Sequence, residues 1–159
     1  MSGIYTATVV WQRGEQPFTD RKYARAHELR FDGGVTVIGS SAPGVVRPPL
    51  SREDAVDPEE GLVAALGSCH MLFFLDLAAR AGFRIDTYDC QAEGLLDKGP
   101  DGRTWITKVT LKPAITWSGD KRPSAEDVAG LHHKAHDLCY IANSLKGEVV
   151  IADVPPRFA

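Results

Sequence analysis

A helix that is apolar on nearly every side constrains this chain more than any other feature. Residues 62–75 are almost all hydrophobic or small, and the segment Asp57-Pro58-Glu59-Glu60 comes shortly before them. Asp57 can cap free N–H groups, and Glu60 stands where a capping box needs it. We therefore predict a helix from Pro58 to about Ala81, ended by Gly82. Because so little of its surface is polar, this helix must be surrounded by protein, within one subunit or inside an oligomer.

Strand patterns on both sides of this helix predict an α+β fold. Tyr-, Thr- and Val-rich or alternating segments precede and follow it, and Asp32-Gly33-Gly34 is typical of a hairpin turn. A second helical segment starts near Ser124 and carries Cys139 on its inner face. The element order favours one domain over residues 1–159 with a largely antiparallel sheet. The expected strands cover residues 4–11, 27–31, 35–39, 83–96, 105–115 and 148–152.

Charge and hydropathy exclude several kinds of partner. The net charge is −3 and no basic run is present, so we do not expect nucleic acid to bind. The longest apolar stretch, residues 61–75, is too short to span a bilayer, and the first residues lack the pattern of a signal peptide. We therefore expect a cytoplasmic protein that has no membrane partner.

The three cysteines are too few for a secreted disulfide scaffold. Cys69 lies midway along the apolar helix, Cys139 lies on the second helical segment, and Cys90 lies on a strand. Each could be a buried bystander, since free cysteine is often buried. A zinc site of His132, His136, Cys139 and Cys69 is an alternative, because zinc takes nitrogen and sulfur ligands. A pair of catalytic thiols is the third interpretation, and Cys90 is the best candidate for a bystander.

The motifs around two of these cysteines resemble the OsmC/Ohr family, the osmotically inducible and organic hydroperoxide resistance proteins. The most specific are Pro58-Glu59-Glu60 with Cys69 at fixed spacing, and residues 135–145 around Cys139. The likeness covers nearly the whole chain, and Cys69-His70-Met71 is similar to an OsmC-like subgroup. The resemblance implies an OsmC-like fold, with largely antiparallel sheets wrapped around a long central buried helix. It also implies an intertwined homodimer with sites at the subunit interface.

The resemblance also implies a chemistry. The chain would be a thiol peroxidase that reduces organic or lipid hydroperoxides to alcohols, with Cys69 peroxidatic and Cys139 resolving. Glu59 matches the family's glutamate, and Arg25 is placed at the family's arginine, with the nearby Arg21 and Arg30 as alternatives. No bound cofactor is implied, and an external dithiol, such as a lipoyl group, would restore the thiols. Family members often have proline directly after the second cysteine, where this chain has Tyr140. The alternative is a redox-sensing or ligand-binding module without efficient peroxidase turnover.

Elementary chemistry gives Arg25 and Glu59 reasons to be near Cys69. A thiolate in an apolar helix needs a nearby cation, which Arg25 can supply, and Glu59 can hold the guanidinium. Glu59 and Cys69 are ten residues apart on one helix, which is roughly 15 Å along its axis. We therefore expect Glu59 and Arg25 of one subunit to serve Cys69 and Cys139 of the other.

Overall fold

The computed structural model describes residues 2–153 and 155–159. The chain divides into two compact units, residues 1–61 and residues 62–159, and each is described by itself.

A three-stranded antiparallel sheet forms the first unit. Its strands β1 (Ala7–Val10), β2 (His27–Phe31) and β3 (Thr36–Gly39) are ordered β1-β2-β3. The turn between β2 and β3 closes with a hydrogen bond from the Phe31 N–H to the Val35 carbonyl at 2.9 Å. Gly34 in this turn has φ +85°, a conformation that favours glycine. The predicted hairpin is confirmed.

The long helix α1 (Pro58–Arg80) has 23 residues and begins and ends as its sequence predicts. Asp57 Oδ1 accepts from the Glu60 N–H at 2.8 Å, and Glu60 Oε2 accepts from the Asp57 N–H at 3.2 Å. This reciprocal pair is a capping box. Gly82, with φ +77°, ends the helix.

A four-stranded mixed sheet forms most of the second unit. The strands β4 (Arg84–Lys98) and β5 (Thr104–Ser118) make a long antiparallel hairpin. Two short strands, β6 (Glu148–Ile151) and β7 (Arg157–Phe158), both pair with β5 in parallel. Parallel pairing of β6, and the existence of β7, were not expected from the sequence, because such pairings depend on long-range contacts.

The second helix, α2 (Ala125–Leu138), also starts with a capping box, formed by Ser124 and Asp127. It ends one residue before Cys139, which is its C-cap and has an extended backbone. A short 3₁₀ helix, Ala142–Ser144, follows. The sequence periodicity had suggested that Cys139 lies within the helix, whereas it lies just beyond its last turn.

One face of α1 packs into the core of the second unit. The buried residues Leu66, His70, Phe74 and Ala78 recur every four positions. A Cβ at Gly67 would lie 3.7 Å from Ala92, so helix and sheet approach closely there. Two hydrophobic clusters result. The first contains Phe74, Ala78, Ile115, Trp117, Val128, Leu131 and Ala135, and the second contains Leu66, Val109, Leu111 and Cys139.

The remaining faces of α1 are only partly covered within one chain. Leu72 is 60% exposed, and 28% of the most apolar 18-residue window of α1 is buried. The helix is longer than the apolar stretch of residues 61–75, and by length and composition alone it is long enough to cross a membrane. The same length and composition are found in helices that form protein cores.

Candidate active site

The second unit brings the thiols of Cys69 and Cys139 together. The Cys69 side chain packs against the hydrophobic cluster that contains Cys139, and the two thiols are close enough for Cys69 to influence the pKa of Cys139. Cys139 is fully buried, whereas Cys69 is partly exposed, and both thiols are free. An accessible thiol in contact with a buried one is the arrangement that oxidation of the first and disulfide formation with the second require.

The turn after α2 fixes the position of Cys139. The Asn143 side-chain amide donates to the carbonyls of Asp137 at 2.9 Å and Cys139 at 3.0 Å. The Ala142 N–H donates to Cys139 Sγ at 3.4 Å. These bonds satisfy carbonyls that the end of α2 leaves without helical partners. Asn143 therefore holds the backbone of Cys139 in position, a role that the sequence motif did not reveal.

Burial raises the pKa of the Cys139 thiol to about 11, and its hydrogen bond to Cys69 contributes to the rise. Cys139 is therefore protonated at neutral pH, and its proton must leave when its sulfur attacks. A thiol that is protonated at neutral pH is better suited to the resolving role than to the first attack on a peroxide, which needs a thiolate.

Cys90, on β4, packs against the same cluster but does not join the pair. Burial raises the pKa of its thiol, and neither Cys69 nor Cys139 contributes to that shift. Its Sγ contacts the carbonyl of Gln91 at 3.9 Å. Cys90 therefore stays the predicted bystander and is a natural control.

A pair of histidines, one fully and one partly buried, joins α1 and α2. His70 Nε2 and His132 Nδ1 lie 3.0 Å apart, and the rings are nearly parallel. Burial lowers the pKa of each to about 4; the charge of His136 adds to the effect on His70, and that of His70 to the effect on His132. Both rings are therefore neutral at pH 7. Sequence analysis had weighed His132 only as a zinc ligand and had missed this contact, which links residues 62 positions apart.

The residues of the zinc alternative do not converge. His132 is paired with His70, and Cys139 is paired with Cys69. Over residues 2–153 and 155–159, no group of three or more His, Cys, Asp or Glu side chains is arranged to hold a metal ion.

A cavity of about 710 Å³ lies beside α2, away from the cysteine pair. His132, His133 and His136 line one side, and apolar side chains together with Asp153 line the rest. Neither Cys69 nor Cys139 lines this cavity. The thiols of Cys69 and Cys139 thus lie outside this cavity.

Arg25 lies in the first unit and is held by its own segment. Its Nη1 donates to the Arg21 carbonyl at 3.0 Å and to the Tyr23 carbonyl. The guanidinium carbon lies 3.9 Å from the centre of the Tyr23 ring, a cation–π contact. These contacts hold the guanidinium near β2, and both of its hydrogen bonds there are made by Nη1.

Glu59 lies in the first turn of α1 and is partly buried. Within the described part of the chain, no ion pair joins it to Arg25, so the structure of one chain does not bring these two expected partners together. The neighbouring Arg30 is paired with Glu28 at 2.7 Å on the exposed face of β2. Of these two arginines, Arg25 is the more buried.

Comparison with known proteins places these features in a family. Residues 51–152 match the family described as OsmC-like protein. An OsmC-like protein of unknown function from Vibrio cholerae has a solved structure that is 44% identical, with a TM-score of 0.94, covering 96% of this chain and 100% of its own. No curated protein matches the chain significantly.

More distant structures share the fold. An organic hydroperoxide resistance protein from Elizabethkingia anophelis is 16% identical with a TM-score of 0.65, and all of both chains align. The organic hydroperoxide resistance protein OhrB of Bacillus subtilis is 18% identical with a TM-score of 0.60, and 98% of each chain aligns. The matched family segment contains α1, Cys69, Cys139 and strands β4 to β6 of the mixed sheet, and the α+β fold agrees with the expectation from sequence. This chain belongs to the OsmC-like protein family.

Proposed function

We propose that this protein is a cysteine-based peroxidase that reduces organic hydroperoxides to alcohols. The observation that carries the proposal is the contact between the partly exposed Cys69 thiol and the buried Cys139 thiol. Membership in a family with hydroperoxide resistance proteins among its structural neighbours supports it.

In the first step, the Cys69 thiolate attacks one peroxide oxygen of ROOH. The S–O bond forms as the O–O bond breaks, and the departing alkoxide takes a proton to give ROH. Cys69 is oxidised to a sulfenic acid while the peroxide is reduced. A thiolate is the required nucleophile, because a protonated thiol attacks poorly.

In the second step, the Cys139 sulfur attacks the Cys69 sulfenic acid. The Cys139 proton and the hydroxyl of the sulfenic acid leave as water, and a Cys69–Cys139 disulfide remains. An external dithiol then reduces this disulfide by thiol–disulfide exchange and is itself oxidised. A lipoyl group is our proposed dithiol, and the protein needs no bound cofactor.

Arg25 and Glu59 complete the proposed site. A guanidinium near Cys69 would stabilise its thiolate and hydrogen-bond the peroxide oxygens, and a carboxylate would orient the guanidinium. We propose that these two residues act from the partner subunit of a homodimer. Arg25 would then exchange its contacts with the carbonyls of Arg21 and Tyr23 for contacts in the assembled site.

Apolar surroundings favour an organic substrate over hydrogen peroxide. Phe73 packs against the cluster that holds both cysteines, and Leu72 is exposed one turn along from Cys69. Alkyl or lipid hydroperoxides would gain from apolar contact that hydrogen peroxide cannot make. We place this activity in the cytoplasm, where thiols are kept reduced.

The decisive experiment couples peroxide consumption to dihydrolipoamide and its reductase. We expect cumene hydroperoxide to be consumed catalytically, with several turnovers for each protein molecule. Cys90→Ser should retain this activity, and the double variant C69S/C139S should have none. Peroxide consumption by the double variant at the parent rate would contradict the proposal.

The high pKa of Cys139 favours one alternative, a redox sensor with slow turnover. A resolving thiol that is protonated at neutral pH attacks the sulfenic acid less readily, so oxidised Cys69 would persist. Stopped-flow measurement of the two steps separates these functions. A disulfide that forms within seconds supports the peroxidase, whereas a sulfenic acid that lasts for minutes supports the sensor.

A further inference from the structure

A large aromatic side chain stands exposed beside the cysteine pair. Tyr140 directly follows Cys139 in the chain, and 68% of its surface is exposed. Its ring meets that of Phe73 edge-on, with centroids 5.2 Å apart and an interplanar angle of 90°. Phe73 in turn packs against the cluster that holds Cys69 and Cys139. The dithiol is thus flanked by a Phe73–Tyr140 pair, of which one ring is open to an incoming molecule.

The backbone under Tyr140 is held in place. The Ser144 hydroxyl donates to the Tyr140 carbonyl at 2.8 Å, and Asn143 ties the preceding residue to the end of α2. The ring therefore projects from a fixed point next to Cys139 rather than from a free loop. Exposed Leu138, the last residue of α2, extends the apolar surface around it.

We propose that Tyr140, supported by Phe73, is a specificity-determining residue that binds the aromatic or branched apolar group of a hydroperoxide. This inference rests on the proposed function. The edge-on contact leaves much of the Tyr140 ring accessible, and aromatic rings pair favourably in stacked or edge-on arrangements. A substrate that rests its apolar group there presents its peroxide group toward the cysteines. Hydrogen peroxide has no such group and gains nothing from Tyr140.

The test measures the first step alone, so that the reductant plays no part. Reduced protein is mixed with a small excess of cumene hydroperoxide or hydrogen peroxide, and the rate of Cys69 oxidation is followed. For Tyr140→Ala we expect the rate constant with cumene hydroperoxide to fall about tenfold, the size expected when one apolar contact is lost. With hydrogen peroxide the rate should be unchanged. Tyr140→Phe keeps the ring and should behave like the parent.

The test compares how much each variant changes the rate constant of Cys69 oxidation with each of the two peroxides. Equal slowing with both would mean that Tyr140 acts on the structure around the cysteines, and would overturn the inference. An unchanged ratio of the two rate constants would also overturn it.

A binding measurement keeps this inference separate from the proposed function. In protein labelled with ¹³C-tyrosine, 2-phenyl-2-propanol, the alcohol product, should shift the Tyr140 ring signals saturably. Tyr140→Phe identifies which signals belong to Tyr140. If the parent protein reacts with neither peroxide but this shift is present, the proposed function fails while the binding role of Tyr140 stands. If the shift is absent, the inference fails whatever the activity.

Discussion

At the scale of single residues, Cys69 and Cys139 have different surroundings, so replacing each should block the reaction at a different step. Cys69→Ser should abolish even one round of hydroperoxide reduction, because the partly exposed nucleophile is lost. Cys139→Ser should allow one round and then accumulate sulfenic or sulfinic acid at Cys69, since no thiol contacts it. Intact-protein mass spectrometry after one equivalent of peroxide distinguishes the added oxygen atoms from a disulfide.

Cys90→Ser is the matched control for both variants. Its side chain packs against the same cluster but has no part in the proposed chemistry, so the disulfide should form as in the parent. If Cys69→Ser still reduced peroxide at the parent rate, or if Cys90→Ser blocked the disulfide, the assignment of the two thiols would be wrong.

Single residues also mark where sequence reasoning reached its limit. The importance of Cys69 and Cys139 came from resemblance, because the local sequence of either is equally suited to a buried bystander. The contact between His70 and His132 could not be predicted, since helix periodicity does not say which faces of two helices meet. Arg25 packs on Tyr23 in a loop where Arg21 has φ +64°. No sequence pattern predicts this loop conformation.

At the scale of elements, the His70–His132 contact should make docking of α2 on α1 sensitive to acid. Both pKa values are lowered to about 4 in the folded chain, below the value of about 6.5 expected on unfolding. The unfolded chain therefore binds more protons between these values. The stability from this pair is fully present above pH 6.5 and should be lost progressively as pH falls toward 4. Urea unfolding between pH 4 and pH 8 measures it.

A non-titrating pair should flatten this acid dependence. In the double variant H70Q/H132N, the side-chain amides can take the places of the two ring nitrogens that are hydrogen-bonded in the parent. Neither amide carries a charge between pH 4 and pH 8. His133→Asn is the control, because its side chain is 78% exposed. A double variant that loses stability with acid as steeply as the parent would show that other groups cause the effect.

Elements whose ends are fixed by local chemistry were predicted best. The capping boxes at Asp57 and Ser124 and the hairpin turn at Gly34 each satisfy backbone groups within a few residues, so their sequences suffice. The parallel addition of β6 to β5 was not predicted, because the partner lies far along the chain. The last turn of α2 ends at Leu138 although the apolar periodicity continues, since Cys139 and Asn143 close it with other hydrogen bonds.

At the scale of the whole molecule, the apolar surface of α1 argues for a second copy. Its buried face accounts for four residues, while Leu72 is exposed and most other apolar side chains of the helix are only half-buried in one chain. Exposed apolar surface of this kind is costly in water and is typical of an interface. Glu59 and Cys69 are also separated by roughly 15 Å along the axis of α1. Two antiparallel copies of α1 would bring the Glu59 end of one close to Cys69 of the other.

We therefore predict an obligate homodimer with two equivalent sites, each formed by both chains. A heterodimer of Cys69→Ser and Glu59→Ala subunits, purified through two different tags, tests this arrangement. If Glu59 acts across the interface, two-fold symmetry places both lesions in one site, and the intact site should retain about half of the parent activity. If Glu59 acts within its own chain, each site carries one lesion and activity should collapse to that of the variant homodimers. Sedimentation equilibrium supplies the independent check, because a fully active monomer would exclude any site shared between subunits.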